Sequence, residues 1–126
     1  MISLMNGKRI LLVEDDQFIL ELYKRQIELA GFTVEAVFSG KTGLELINQN
    51  TYDLIMLDIN IPDVNGLKLL AALKKGPRSE TPVLILSNIS DQSLISQAMD
   101  LGANSYIVKN TYTPAQVVDE VKLQLK

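Results

Sequence analysis

The chain of 126 residues contains no cysteine and no histidine. The first absence excludes disulfides, thiolate metal centres and cysteine nucleophiles. The second removes the Ser–His and Cys–His catalytic constellations and every histidine-ligated zinc site. Long apolar runs are also missing, and no stretch approaches the roughly 18 residues of a membrane span. The opening "MISLMNGKR" carries its positive charge after its few apolar residues, unlike a secretion signal. The glycosylation pattern Asn88-Ile89-Ser90 therefore carries no weight, and a cytoplasmic protein is expected. Basic charge is sparse: 12 Lys and Arg stand against 15 Asp and Glu, a net charge of −3. Lys8-Arg9 and Lys74-Lys75 are too short to form basic patches, so direct nucleic-acid contact is not expected. Any acid, base or metal chemistry must rest on Asp, Glu, Lys, Tyr, hydroxyl groups and backbone.

What the chain does have is enough apolar material for a core, 47% of its residues, at a length that suits one domain. There is no low-complexity tract, no long linker and no internal repeat. An architectural alternation recurs instead. Ile10 to Val13 reads as a buried strand, and Ile19, Leu22, Tyr23, Ile27 and Ala30 follow at helical spacing until Gly31. Phe32 to Phe38 has the mixed alternation of a strand near a sheet edge. Ser39 opens a short helix carrying Leu44 and Ile47. Leu54 to Leu57 is a third strand, and Leu67, Leu70 and Leu73 mark a helix that stops before Gly76-Pro77. Pro82 to Leu86 is a fourth strand, with proline where no ladder donor is needed. Leu94, Ile95, Ala98 and Leu101 form a helix ended by Gly102. Ser105 to Val108 is a fifth strand. Thr113-Pro114 opens the last helix, with Gln116 placed for a capping box and an apolar stripe of Val117, Val118, Val121 and Leu125.

Five strands alternating with five helices, the strands almost continuously apolar, predict an α/β fold with a parallel sheet covered on both faces. Ligands of such sheets bind beyond the carboxyl ends of the strands. Chemistry is therefore expected just after strands one, three, four and five.

Those positions hold Glu14-Asp15-Asp16, then Asp58 with Asn60 close behind, then Ser87-Asn88, then Lys109. Each alone has an ordinary explanation. Asp16 suits a helix N-cap, Asp58 an Asx turn ahead of Pro62, Ser87 a turn, and Lys109 a solvated surface. Together they bring carboxylates, a hydroxyl and an amine to one edge. Clustered carboxylates repel one another and need a cation or a proton. Without histidine or cysteine, an oxygen-seeking ion such as magnesium fits best. Beside it, Asp58 could attack phosphorus, Lys109 offers a point charge to a phosphate oxygen, and Ser87 offers a hydrogen bond to another. These are the parts of an aspartyl-phosphate site.

The motifs "ILLVEDD", "LIMLDINIPDVNG", "VLILSN" and "GANSYIVKN" resemble, in order and spacing, the receiver domain of two-component response regulators. The resemblance covers residues 8 to about 124 and implies one receiver domain over 1–126, with no effector domain visible. It supplies the doubly wound, flavodoxin-like sheet order 2-1-3-4-5, which periodicity alone does not give. It implies Asp58 as phosphoacceptor and a Mg2+ site of Asp15, Asp58 and the Asn60 backbone carbonyl, with Glu14 acting through water. Lys109 and Ser87 would contact the phosphoryl group. Ser87 and Tyr106 would form the switch, and Asn60 and Ile89 would tune dephosphorylation. Such a domain catalyses its own phosphorylation from phosphohistidine and its own dephosphorylation, and is foremost a signalling element. The implied partners are a sensor histidine kinase or histidine phosphotransfer protein and a downstream protein target or effector domain. A phosphorylation-dependent homodimer is a further implied partner, and no membrane is.

Two features depart from the family pattern. The lysine is normally followed by a cis proline, and here Asn110 follows Lys109. Either the fold enforces a cis bond, at about 3–4 kcal/mol, or the loop runs trans. Ile89, two residues beyond Ser87, stands by the resemblance where family members vary and dephosphorylation is tuned; a branched apolar side chain there would hinder the attacking water, which predicts slow self-dephosphorylation. Two other readings compete. A degenerate receiver would act only as an interaction module, against which Asp15, Asp58, Ser87 and Lys109 are all intact. A haloacid-dehalogenase-type phosphohydrolase wants a second Asp two residues after the nucleophile, where this chain has Asn60.

Overall fold

The computed structural model describes residues 7–126. Strands β1 (Arg9–Val13), β2 (Thr33–Val37), β3 (Leu54–Asp58), β4 (Val83–Ser87) and β5 (Ser105–Val108) alternate with helices. The helices are α1 (Gln17–Leu29), α2 (Gly40–Gln49), α3 (Gly66–Lys75), α4 (Gln92–Asp100) and α5 (Pro114–Gln124). A 3-10 turn, Lys109–Thr111, joins β5 to α5. The strands form one parallel sheet in the order β2-β1-β3-β4-β5, as the resemblance implied. Among the described residues no helix is long and apolar enough to cross a membrane.

The helix boundaries follow from local chemistry. Asp16 accepts from the Phe18 and Ile19 amides, so its carboxylate caps α1 as expected. Ser39 caps α2 through the Thr42 amide. Thr113 and Gln116 form the anticipated reciprocal capping box on α5, with Pro114 at the first helical position. Gly31 and Gly102 end α1 and α4 with φ of 104° and 108°, a region that side chains with a Cβ rarely enter.

The sheet separates two apolar layers. On one face Ile10, Leu12, Met56 and Leu86 pack against Leu20, Tyr23 and Ile27 of α1 and Val117 and Val121 of α5. On the other, Leu11, Val13, Ile55 and Leu57 meet Ile47 of α2, Leu69, Leu70 and Leu73 of α3 and Ala98 of α4. Every residue of β3 and β4 is buried, which explains their uninterrupted apolar runs.

Three details differ from the sequence expectation. Strand β4 starts at Val83 and not Pro82, because Pro82 has no N–H to give; its carbonyl still accepts from Ile55 at 3.0 Å. β3 and β4 each run one residue further than the apolar run, so Asp58 and Ser87 are strand residues. On α1, Leu20 fills the core position, while Leu22 is half-exposed beside a groove.

Candidate functional site

The strand register brings the polar residues to one level. Val13 pairs with Leu57, so the next residue of each chain segment, Glu14 and Asp58, emerge side by side. Asp58 pairs with Leu86, and Ser87 with Val108, which puts Ser87 one step and Lys109 two steps further along the same edge. Hydrophobic pairing, not the polar groups, fixes this alignment.

Lys109 Nζ sits 2.5 Å from Glu14 Oε2 and 3.1 Å from Asp58 Oδ2. All three side chains are nearly removed from solvent. Asp58 Oδ1 accepts from the Asn60 amide at 3.0 Å, so both oxygens of this carboxylate are engaged and its plane is held. Glu14 Oε1 accepts from the Asp16 amide at 3.1 Å. One carboxylate oxygen from each of Glu14, Asp15 and Asp58 lies within 4.8 Å of the others.

Three carboxylates with one ammonium make an electrostatically unsatisfied pocket. Burial pushes the Glu14 carboxyl up to about 7; the Lys109 contact opposes this, and the Asp58 charge adds to it. Asp15 is raised by burial and by its closeness to Asp58. Burial also works against the Lys109 charge, but contacts with Glu14 and Asp58 outweigh it and hold the amine above its ordinary value. The donor set is all oxygen and carries excess negative charge, so it fits a hard divalent cation. Asp15, Asp58 and Glu14 are the side chains available to hold one.

Among the described residues, neither the Ser87 nor the Tyr106 hydroxyl hydrogen-bonds to this pocket. The Ser87 hydroxyl oxygen accepts from the Ile89 amide at 3.0 Å, and the Tyr106 hydroxyl donates to the Ile89 carbonyl at 2.7 Å. Ile89 is thus held through its backbone from both sides. Asn60 is exposed on the loop after β3. The Lys109-Asn110 bond is resolved in favour of the trans path: among the described residues there is no cis peptide. The chain turns there through the short 3-10 segment, closed by Thr111 Oγ1 donating to the Val108 carbonyl.

Two contributors were not singled out as site residues from the sequence. Tyr23, in sequence simply one apolar position of the α1 stripe, is buried and lines a groove of about 280 Å³ with Lys109, Asn88 and Asn110. Asp63, in the loop after β3, accepts from the Ser39 hydroxyl and from the Gly40 and Lys41 amides. The only sequence signal for Asp63 is an acid after proline in a loop, shared with many turns that make no such contacts.

Comparison with known proteins agrees with this geometry. Residues 10–122 match the family model described as the response regulator receiver domain. The chain is 37% identical over 101 residues to the response regulator ArlR of Staphylococcus saprophyticus, covering 80% of this chain and 45% of that protein. It is 33% identical over 118 residues to the transcriptional regulatory protein HprR of Escherichia coli, covering 94% and 52%. The chain therefore spans about half the length of the curated relatives it matches. Among solved structures, the receiver domain of the Francisella response regulator 1452 superposes with a TM-score of 0.87 at 29% identity, covering 94% of this chain and 97% of that one. A CheY-like receiver domain protein from Methanospirillum hungatei does so at 0.88 and 29%, covering 95% and 94%. Motifs, sheet order and family match agree, and the chain belongs to the response regulator receiver domain family of two-component signalling.

Proposed function

We propose that Asp58 accepts a phosphoryl group from a phosphohistidine and that the domain signals through the resulting change of its surface. The observation that carries this reading is the pocket itself: Lys109 bridges Glu14 and Asp58, with Asp15 completing a cluster spanning 4.8 Å. In the transfer, an Asp58 oxygen forms a bond to phosphorus as the bond from phosphorus to the donor imidazole nitrogen breaks. The imidazole leaves with the electron pair, and an acyl phosphate remains on Asp58. Asp15, Asp58 and the Asn60 carbonyl would hold a magnesium ion, with Glu14 acting through water, and the ion would supply positive charge that offsets repulsion between carboxylates and phosphoryl oxygens.

The chain's own residues do the rest. The Asn60 amide and Lys109 orient the Asp58 carboxylate before transfer. Lys109, released from part of its pairing, compensates a phosphoryl oxygen. Ser87 gives up the Ile89 amide and donates to another phosphoryl oxygen. Tyr106, bonded to the same residue, follows that rearrangement. The population shift then reaches the α4–β5–α5 surface. Hydrolysis by water returns Asp58 to its carboxylate, at a rate tuned by Asn60 and slowed by Ile89. The donor is a sensor histidine kinase or histidine phosphotransfer protein in the cytoplasm. The output goes to a downstream protein or effector domain, or to a phosphorylation-dependent homodimer. Residues 1–126 are used as one receiver domain.

Fluorine NMR tests this. Beryllofluoride with magnesium should give resonances of a bound species with the wild-type chain and none with Asp58→Asn. Equal binding by both chains, or none by the wild type, would overturn the reading.

A further inference from the structure

The loop between β3 and α3 carries Asn60. The Ile59 and Ile61 side chains are buried in the core, the Ile59 amide donates to the Leu86 carbonyl at 3.2 Å, and three further fastenings hold the loop. Gly66 N–H donates to the Ile59 carbonyl at 3.0 Å, closing the loop's base. The Asn60 amide donates to Asp58 Oδ1. The third fastening lies outside the pocket. Asp63 Oδ1 accepts from the Gly40 amide at 2.9 Å, and Oδ2 accepts from the Lys41 amide at 3.0 Å and the Ser39 hydroxyl at 2.8 Å. Those amides belong to the first turn of α2, where donors have no partner within the helix and the helix dipole favours a negative charge. The contacts hold the Asp63 carboxyl well below its ordinary range, the Lys41 amide contributing most.

The backbone is shaped for this contact. A Cβ on Gly40 would lie 2.8 Å from both the Val64 Cβ and the Val64 carbonyl oxygen. Loop and helix therefore approach more closely than any side chain at residue 40 would allow. A glycine that admits the loop and a carboxylate that fastens it are separate features serving one juxtaposition.

We infer that Asp63 is a positioning residue: it clamps the β3–α3 loop to α2 and thereby fixes the Asn60 peptide over the acidic pocket. This deepens the reading of Asp58 as phosphoacceptor and rests on it for its consequence. Without the clamp, the loop stays tethered at Asp58, at Gly66 and by the buried Ile59 and Ile61, but its outer half around Asp63 and Val64 comes loose and the Asn60 peptide is held from one side only. The Asn60 carbonyl then spends less time where it serves a cation, and the Asn60 amide less time on Asp58.

The test compares wild type with Asp63→Ala, Asp63→Asn and Gly40→Ala. The last keeps the carboxylate but wedges Val64 away from the helix. Two readouts are used. In metal-free protein, amide exchange at Asn60 should quicken about tenfold in Asp63→Ala and Gly40→Ala, with a smaller change in Asp63→Asn, which keeps one acceptor oxygen. Titration with magnesium alone, followed by amide chemical shifts, should give a dissociation constant raised about five- to tenfold in the same order. Faster exchange confined to Gly40 and Lys41, with Asn60 exchange and magnesium affinity unchanged, would reduce Asp63 to a helix cap and overturn the inference. If wild type itself binds neither magnesium nor beryllofluoride, the reading of the pocket fails, while Asn60 exchange still reports on the clamp.

Discussion

The Tyr106 hydroxyl donates to the Ile89 carbonyl at 2.7 Å, while the amide of the same residue is held by Ser87 Oγ. The two residues of the expected switch thus share one neighbouring residue. The Ile89 backbone is thereby held at both its amide and its carbonyl, and on the reading proposed above its branched side chain hinders the attacking water. Ile89→Glu should shorten the phosphoryl half-life by a factor of ten or more, followed as inorganic phosphate release from the phosphorylated protein. A wild-type half-life of only seconds, or no difference between the two chains, would contradict this.

Acid titration of the pocket gives a second expectation. The Glu14 pKa is raised from 4.5 to about 7, so in metal-free protein its contribution to stability is present below pH 4.5 and lost as pH rises through 7. Metal-free protein should therefore gain thermal stability from this group between pH 8 and 6, a window in which no histidine titrates. Magnesium needs the ionised carboxylate, so its affinity should fall through the same window. Thermal midpoints at pH 6 and 8, with and without magnesium, check both signs. Asp58→Asn should lower the Glu14 pKa, since the Asp58 charge is one cause of its elevation. A Glu14 carboxyl resonance titrating near 4.5 would refute the proposal.

Gly66 stands where backbone meets backbone. A Cβ there would come within 2.3 Å of the Asp58 carbonyl oxygen and 2.8 Å of the Ile59 Cα. Gly66→Ala should cost about 1–3 kcal/mol in urea unfolding. It should also slow phosphorylation, because the atoms that must yield belong to Asp58 and its neighbour. Unchanged stability together with an unchanged phosphorylation rate would rule this out.

A fourth expectation concerns the opposite end of the sheet. Tyr52 donates to Glu35 Oε1 at 2.5 Å and lies under the Arg9 guanidinium, 5.3 Å from its ring centroid. Burial, followed by the bond to Glu35, pushes the Tyr52 phenol from 10.0 up to about 12. The raised value means stability that is present below pH 10 and lost as pH rises towards 12. The urea midpoint of wild type should fall towards that of Tyr52→Phe across this range. Parallel alkaline curves for the two chains would contradict it.

Much of this was legible in the sequence because a parallel sheet converts strand ends into a common edge. Glu14, Asp15, Asp58 and Lys109 each follow or end an apolar run, so locating the runs located the acidic pocket. Caps were equally legible, since Asp16, Ser39 and Thr113 act within three residues of themselves. What stayed hidden depends on distant partners. Asp63 reaches residues 22 to 24 positions away, and nothing local announces that α2 lies beneath its loop. The choice of Leu20 over Leu22 for the core depends on how α1 leans between sheet and α5, which helical spacing alone leaves open. The path after Lys109 was ambiguous because its neighbour is not proline; the 3-10 turn at Lys109–Thr111 carries the chain on without a cis bond.

The account turns on Asp58 as the nucleophile. Incubation with acetyl phosphate and magnesium, followed by intact-mass measurement, tests that most directly. One phosphoryl group should add to wild type, be removed by hydroxylamine as an acyl phosphate would be, and be absent from Asp58→Asn and from a reaction without magnesium. Phosphorylation of Asp58→Asn to the same extent, or no phosphorylation of a wild-type chain that is folded and supplied with magnesium, would contradict the account.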